Sequence, residues 1–384
     1  MTVTMTDDDY RANLRAALAQ VDADTVAGWE RDGHLPRQVI TDLADRDVFR
    51  DRWELGAEKG LPRLVVMAEE AAGVCSGLAL AVMGQSEVFI GGLRWLGSTD
   101  RHRRLLDDAL AGRAVGCFGS TEPHGGSDLA GLRTTATRTV DGWHLVGHKR
   151  YISNLGGATH MLVVGRVAGS QPRDLTLFLL PLDTPGVRVH GFFGTAGLRS
   201  CDVGEASFDV HLPSDAVLGA EGMGIAYASR LLQFERLSIC VQLLTAGRSA
   251  LGLAAAYARR RVIGDAPLID RQALRHRLAH ARARLGVVDA ALRDIVARGS
   301  AGQNFAHDVA ALKLVANEVV EKVTDDCLQV LGARGYTSNY PAERWWRDVR
   351  LARIGGGADE VLTEVVASRL TMPDARFDTE LDRL

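Results

Sequence analysis

The sequence predicts an α+β fold: an N-terminal helical domain over residues 1–113, a central β-barrel or sandwich domain over 114–218, and a C-terminal four-helix-bundle domain over 219–384. Three observations predict it. Apolar residues recur at helical spacings of three and four up to Gly112, as in VITDLADRDVF and HRRLLDDALAG. From Ala114 to Val217 the pattern changes to short β-rich or alternating runs. After Gly222 the helical period returns in long segments near 224–260, 270–299, 303–332 and 358–370.

In chain order, Thr99 is placed as the N-cap of the helix that begins before HRRLLDDALAG. The least charged stretch, Ala71 to Leu93, carries Glu87, glycines and polar residues, so it predicts a buried helix and its turn rather than a membrane span. The β runs AVGCFGS, TTATRTV, WHLVGHKRYIS, HMLVVGRV, LTLFLLPL and ASFDVHLP are separated by DG, GG, PR and TPG turns. No strand leads into a GxGxxG turn, which disfavours a Rossmann nucleotide site, and helices segregated from strands disfavour a doubly wound sheet.

The chain has 384 residues, enough to bury a sizeable core without staples. Its 45 Lys and Arg against 48 Asp and Glu are interspersed and leave a net charge of -3, so neither nucleic acid nor an anionic membrane is an expected partner. Five scattered cysteines (Cys75, Cys117, Cys201, Cys240 and Cys327) show no CxxC or CxxxH spacing, predicting a reduced, intracellular protein without a structural metal. The start, MTVTMTDDDY, is acidic where a signal peptide is basic and then apolar, so a cytoplasmic location is expected.

Four segments carry candidate chemistry. Cys117 to Asp128, CFGSTEPHGGSD, ends a strand and opens a loop. Its small residues leave backbone N–H groups accessible and Thr121 and Ser127 add hydroxyls, which suits an anionic or heteroaromatic ligand; taken alone it is also an ordinary Pro/Gly turn. It is not a GxSxG nucleophile elbow. In HKRYISN, His148 to Asn154, Tyr151 and Ser153 share one strand face at period two, either an aromatic surface beside a hydroxyl or a plain exposed face. His148 and His124 have no spaced partners and read as surface or turn histidines.

In LLQFERLSICVQLL, Leu231 to Leu244, Glu235 has Leu231, Leu232, Ser238 and Ile239 as helical neighbours. Its carboxylate is either paired, with Arg236 the obvious partner, or held as a general base whose pKa desolvation raises. The last segment, Leu328 to Val361, ends a helix at Gly332 or Gly335, turns at Pro341 and closes on RIGGGADEV, with no P-loop Lys-Ser/Thr after its glycines.

Together these four segments resemble the acyl-CoA dehydrogenase family from about Gly33 to Ser368, through several separated motifs in the right order. The resemblance implies FAD. Phe118, Ser120, Thr121, Gly126 and Ser127 would contact its isoalloxazine and pyrophosphate, Tyr151 would lie over the ring and Ser153 near the reactive nitrogen, with Ala358 and Glu360 turned toward the flavin. Arg261 and Gln272, with Gln329, Gly332 and Ala333, would reach the FAD of a neighbouring subunit, implying a homo-oligomer, dimer or tetramer. Ser127, Gln233, Arg236 and Gly357 would meet an acyl thioester carried by CoA or a carrier protein, and an electron-accepting flavoprotein is the implied redox partner.

The sequence departs from that family at three places. Gly264 and Asp265 replace an aromatic-glycine pair, GAEKGL replaces a glycine-rich turn, and Gly356 stands where the loop glutamate is usual. The long-chain and isovaleryl members likewise carry their base on the long helix immediately before an arginine, and here that position is Glu235 in FERL. The implied reaction is α-proton removal by Glu235 and hydride transfer from the β-carbon to FAD, with a backbone N–H, that of Gly356, stabilising the thioester oxygen. The alternatives are the same chemistry on a carrier-protein-bound acyl group in biosynthesis, a flavin-dependent monooxygenase on this fold, and a non-catalytic flavin or acyl-thioester binding protein.

Overall fold

The computed structural model describes residues 5–370. Eight short helices open the chain: α1 (Asp7–Leu18), α2 (Ala23–Asp32), α3 (Gln38–Ala44), α4 (Val48–Glu54), α5 (Leu61–Val74), α6 (Ser76–Met83), α7 (Gly91–Leu96) and α8 (Asp100–Leu110). Thr99 caps α8, its hydroxyl accepting the His102 N–H, as its sequence position predicts. The weakly charged stretch from α6 to α7 lies mostly inside the protein, where Leu78, Val82, Phe89 and Ile90 are all buried. Between α6 and α7, Gly84–Ile90 winds as a π-helix, which periodicity does not foretell. The extra width points Gln85 into the core, where its amide N–H groups reach the carbonyls of Ala109 and Ala114 and its oxygen accepts the Gly116 N–H at 2.8 Å. One satisfied buried amide thereby ties the helices to the first strand.

The β domain has eight strands: β1 (Gly116–Gly119), β2 (Thr135–Arg138), β3 (Gly142–Ile152), β4 (His160–Val167), β5 (Leu175–Pro181), β6 (Val187–Phe192), β7 (Gly204–Pro213) and β8 (Val217–Leu218). They form one mixed sheet in the order β6-β7-β3-β2-β4-β5-β8, with β1 and β2 both parallel to β4. One face packs Trp143, Leu145, Met161, Val163, Phe178, Leu180, Phe208 and Val210 into a local core. The other face of β4 and β5, with Leu162, Val164, Leu177 and Leu179, joins the helical core. Burial on both faces explains why HMLVV and LTLFLL read as continuous apolar runs rather than alternation. β6 is absent from the sequence-predicted strands because it is a mostly exposed edge strand with no buried stripe to reveal it.

The C-terminal domain contains α9 (Gly224–Arg260), α10 (Gln272–Ser300), α11 (Ala306–Leu331), α12 (Ala342–Asp348) and α13 (Asp359–Ala367). Three of these are long. The fourth place in the expected bundle is taken by the nine-residue α13, which packs on α11, and α5 also packs along α9. A short hairpin, β9 (Val262–Ile263) and β10 (Ala266–Pro267), links α9 to α10, and Gly264 supplies its left-handed turn residue. α12 was not foreseen, since its seven residues are too few for a periodic signal. It locks the domains together: buried Asp348 accepts the Leu198 N–H at 2.7 Å, Arg347 donates to the Ala196 carbonyl, and Glu30 of α2 accepts the Ser200 N–H.

Candidate active site

The two β-domain segments singled out in the sequence meet directly. The Arg150 N–H donates to the Thr121 carbonyl at 2.9 Å. Beneath them lies an ion pair almost without solvent contact, Lys149 Nζ to Glu122 Oε1 at 2.8 Å. Glu122 also accepts from the backbone N–H groups of Arg133 and Thr134 and from the Thr134 hydroxyl. Burial alone would push this carboxyl up, but the Lys149 charge and those donors outweigh it and hold it at about 2. The charged residues inside STEPHGGSD and HKRYISN are therefore the brace between the two loops, a role that neither segment discloses by itself.

Around that brace the side chains at the positions the resemblance assigns to the flavin are accessible. Ser120, Thr121, Gly126 and Phe118 are half-buried and Ser127 is exposed. The N–H groups of Thr121, Gly126 and Ser127 have no hydrogen-bond partner among the described residues. A Cβ on Gly126 would lie 2.8 Å from Thr121 Oγ1, so only glycine lets the loop fold back on itself. Tyr151 is 57% exposed and adopts φ +56°, an outlier for an aromatic residue. It lies next to the end of β3, where the ladder with β7 slips between Lys149 and Ile152, and Ile152 is buried between exposed Tyr151 and half-buried Ser153. The strained turn aims the ring outward against Phe193, with Arg150 over both rings. A surface with free amides, hydroxyls and a presented aromatic face fits a flavin dinucleotide.

Glu235 lies on α9, half-buried, and its carboxylate has neither a hydrogen bond nor an ion pair among the described residues. Arg236 is not its ion-pair partner: its Nε donates instead to the Gly356 carbonyl at 2.8 Å. Desolvation raises the Glu235 pKa against the opposing pull of Arg236 and Lys313. The Ser238 hydroxyl donates to the Glu235 backbone carbonyl, leaving the side chain alone. This is the environment of a general base. Gln233, on the same helix, is buried.

The glycine loop closes on this helix. Gly356 and Gly357 adopt φ +66° and +101°, conformations that side chains oppose. Lys313, wholly buried on α11, donates to the Gly357 carbonyl at 2.9 Å. Downstream, Asp359 is held by Asn317 at 2.7 Å and by Arg353 at 2.8 Å, and Arg353 also pairs with Glu321. Ala358 is the N-cap of α13 and Glu360 lies exposed in its first turn. Lys313 was missed in the sequence because a lysine in ALKLVANEVV reads as an ordinary helix-surface residue; its only signal is that it shares α11's apolar face with Val309, Ala316 and Val320.

The remaining predicted positions lie elsewhere. Arg261 and Gln272 flank the β9–β10 hairpin and are exposed, as are Gln329, Gly332 and Ala333 at the end of α11. Arg334 stacks over Tyr257 of α9, bringing these two groups to the same end of the domain. Arg261 caps the C-terminal end of α9, 26 residues after Glu235, which places it roughly 39 Å away along the axis. A single small group cannot contact both in one chain.

Comparison with known proteins bears on the family and the fold. The three domain models of the acyl-CoA dehydrogenases match in order: the N-terminal domain over residues 4–113, the middle domain over 117–210 and the C-terminal domain over 222–371. The chain is 32% identical over 389 residues to the acyl-(acyl-carrier-protein) dehydrogenase MbtN of Mycobacterium sp. (strain MCS), covering 98% of this chain and 97% of that protein. Among solved structures, butyryl-CoA dehydrogenase from Megasphaera elsdenii superposes with a TM-score of 0.90 at 26% identity, over 97% of this chain and 100% of that one. A glutaryl-CoA dehydrogenase from Mycobacterium smegmatis in complex with FADH2 gives 0.86 at 25% identity, over 95% and 94%.

Proposed function

The chain belongs to the acyl-CoA dehydrogenase family, and from that premise we propose that it introduces a 2,3-double bond into an acyl thioester borne on a carrier protein, with Glu235 as the base. It is an oxidoreductase acting on a CH–CH bond, with FAD as cofactor. The observation that carries the assignment is the pairing of a vacated loop position, Gly356, with an unpaired half-buried carboxylate, Glu235, on the helix that the loop covers.

The α-carbon of a thioester is a weak acid, so its proton is removed only when a base is close and the oxygen is stabilised. Glu235 receives the proton. The loop amides at Gly356 to Ala358 face no intrachain acceptor among the described residues and are available to the thioester oxygen. FAD, when bound, supplies the acceptor for the hydride that leaves the β-carbon. Thr121, Ser127 and the neighbouring amides would hold the dinucleotide, with Tyr151 beside its ring.

The carrier-protein reading draws on the full-length relative named for such substrates and on Gln233, an uncharged residue where many family members place an acid near the pantetheine. Arg261, Gln272 and the end of α11 serve a neighbouring copy, because they lie too far from Glu235 to serve their own. An electron-accepting flavoprotein removes the electrons.

Anaerobic bleaching of the flavin by matched acyl-carrier-protein and acyl-CoA substrates tests the assignment. Glu235→Gln retains FAD and loses about 10²- to 10⁴-fold in the rate of flavin reduction. A variant that bleaches as fast as the parent sinks the base assignment, and faster bleaching by acyl-CoA reverses the carrier assignment.

A further inference from the structure

Lys313 is fully buried yet makes no ion pair within 4 Å among the described residues. Its ammonium is spent on one backbone carbonyl, that of Gly357, while Arg236, also buried, is spent on the preceding one, that of Gly356. Burying a cation without a carboxylate is unfavourable unless its position is needed. Here two cations from two different helices grip consecutive carbonyls of a loop that glycines leave intrinsically loose.

The consequence follows from peptide geometry. In a planar trans peptide the N–H points opposite to the carbonyl. Carbonyls of Gly356 and Gly357 drawn toward Arg236 and Lys313 therefore send the N–H groups of Gly357 and Ala358 the other way. Those amides have no acceptor among the described residues, although both residues are only half-buried at the site.

We propose that Lys313 is a positioning residue for the reaction: with Arg236 it fixes the two peptides that follow Gly356, and so holds the loop whose free amides, that of Gly356 among them, meet the thioester oxygen as negative charge develops there. This rests on the dehydrogenase reading above. Its role is indirect, since it touches the loop rather than the substrate. Its charge also bears on the base: the ionisable groups that face Lys313 are Glu235, Arg236 and Cys240 from α9 and Asp359 at the start of α13. Asp359 is already bound by Asn317 and Arg353, and burial pushes the Cys240 thiol up to about 12, so it remains neutral. Burial pushes the Lys313 ammonium down to about 8, leaving it mostly protonated at neutral pH, where it favours the ionised form of Glu235.

The test compares Lys313→Met, which removes hydrogen bond and charge, with Lys313→Gln, which retains an N–H donor but no charge. Each is purified with FAD, and flavin reduction by the acyl thioester is followed from pH 5 to 9. The Met variant is expected to lose roughly 10- to 100-fold in reduction rate at saturating substrate, less than the loss on deleting an oxyanion donor outright, while the half-saturating substrate concentration changes less than about threefold. The Gln variant recovers most of that rate, and its acidic limb moves to higher pH because Glu235 has lost a nearby positive charge. A Met variant that reduces flavin at the parent rate overturns the proposal, as does a Gln variant no faster than Met. Should the Met variant fail to retain FAD, the Gln variant decides alone, and an unshifted acidic limb overturns it. An active Glu235→Gln enzyme would instead remove the base assignment, whatever Lys313 does.

Discussion

A Cβ on Gly356 would lie 2.7 Å from the Cδ1 of Ile239, one helical turn beyond Glu235 on α9. Ile239 is buried, so the space a loop side chain needs is already filled from the helix. The loop backbone reinforces this, since φ +66° at Gly356 disfavours any residue with a Cβ by about 1 kcal/mol. Moving the base back to the loop thus requires the end of the Ile239 side chain to give way and the backbone to hold a left-handed conformation. Glu235→Gln/Gly356→Glu is expected to remain inactive in flavin bleaching. Adding Ile239→Ala to that pair opens the space and is expected to raise the rate at least about tenfold over the double variant, a barrier change of about 1.4 kcal/mol. An active double variant, or a triple variant no better than the double, means that Ile239 is not the obstacle.

The Glu122–Lys149 pair links the two loops at the flavin edge, and removing one partner strands the other in a nearly dry site. Lys149→Met is expected to destabilise the protein by about 3–5 kcal/mol and to weaken retention of FAD. Differential scanning calorimetry and the flavin absorbance of the purified variant check this together. The pH sign follows from the depressed Glu122 carboxyl: its stabilisation is complete above the ordinary carboxylate pKa of 4.5 and is lost as pH falls toward 2. Acid unfolding of the parent should therefore release flavin in that window, whereas Lys149→Met, already destabilised at neutral pH, should lose that acid dependence because burial without a counter-charge raises the Glu122 carboxyl.

These two relationships also mark what the sequence discloses and what it hides. The helical, β and helical order is written in apolar period, because α10 and α11 bury one stripe and β3 and β7 alternate. Glu235 was legible as a carboxylate among apolar helix neighbours. The partners that give these residues meaning were not, since Lys313 lies 78 positions from Glu235 and Lys149 lies 27 from Glu122. Likewise Arg236 reads as a local ion-pair partner, and only the fold shows its guanidinium turned to Gly356. Short elements without a buried stripe, β6 and α12, leave no periodic trace at all.

Asp348 gives a pH dependence of opposite sign. Burial pushes its carboxyl up to about 6, and its Oδ2 has no hydrogen-bond partner among the described residues. A raised folded-state pKa means that this group favours the folded state most at low pH, and that the advantage is lost as pH rises from about 4 through 6. Asp348→Asn keeps an oxygen to accept the Leu198 N–H while removing the buried charge. It is expected to raise the unfolding temperature at pH 8, by up to about 3 kcal/mol of stability for a shift of roughly two units, and to match the parent near pH 4. A variant less stable than the parent at pH 8 would show that the ionised carboxylate is needed at this junction of α12 with the 194–201 loop.

Arg261 separates cofactor binding from chemistry. It lies exposed beside the β9–β10 hairpin, roughly 39 Å along α9 from Glu235, so within one chain it has no route to the reacting carbons. If it holds the dinucleotide of a neighbouring copy, Arg261→Ala should weaken FAD retention by about 10- to 100-fold, the 1.5–3 kcal/mol of a hydrogen bond to a charged group. The rate of flavin reduction, measured with FAD added to saturation, should stay within about threefold of the parent. Mixing Arg261→Ala with Glu235→Gln chains extends the argument. In a mixed dimer whose sites each combine one chain's Glu235 with the other's Arg261, one site carries both lesions and its counterpart neither. Co-expressed chains should then retain more FAD capable of reduction than either variant alone. Should the mixture show no gain, Arg261 serves its own chain or none, and the shared-site reading of this end of the helix fails.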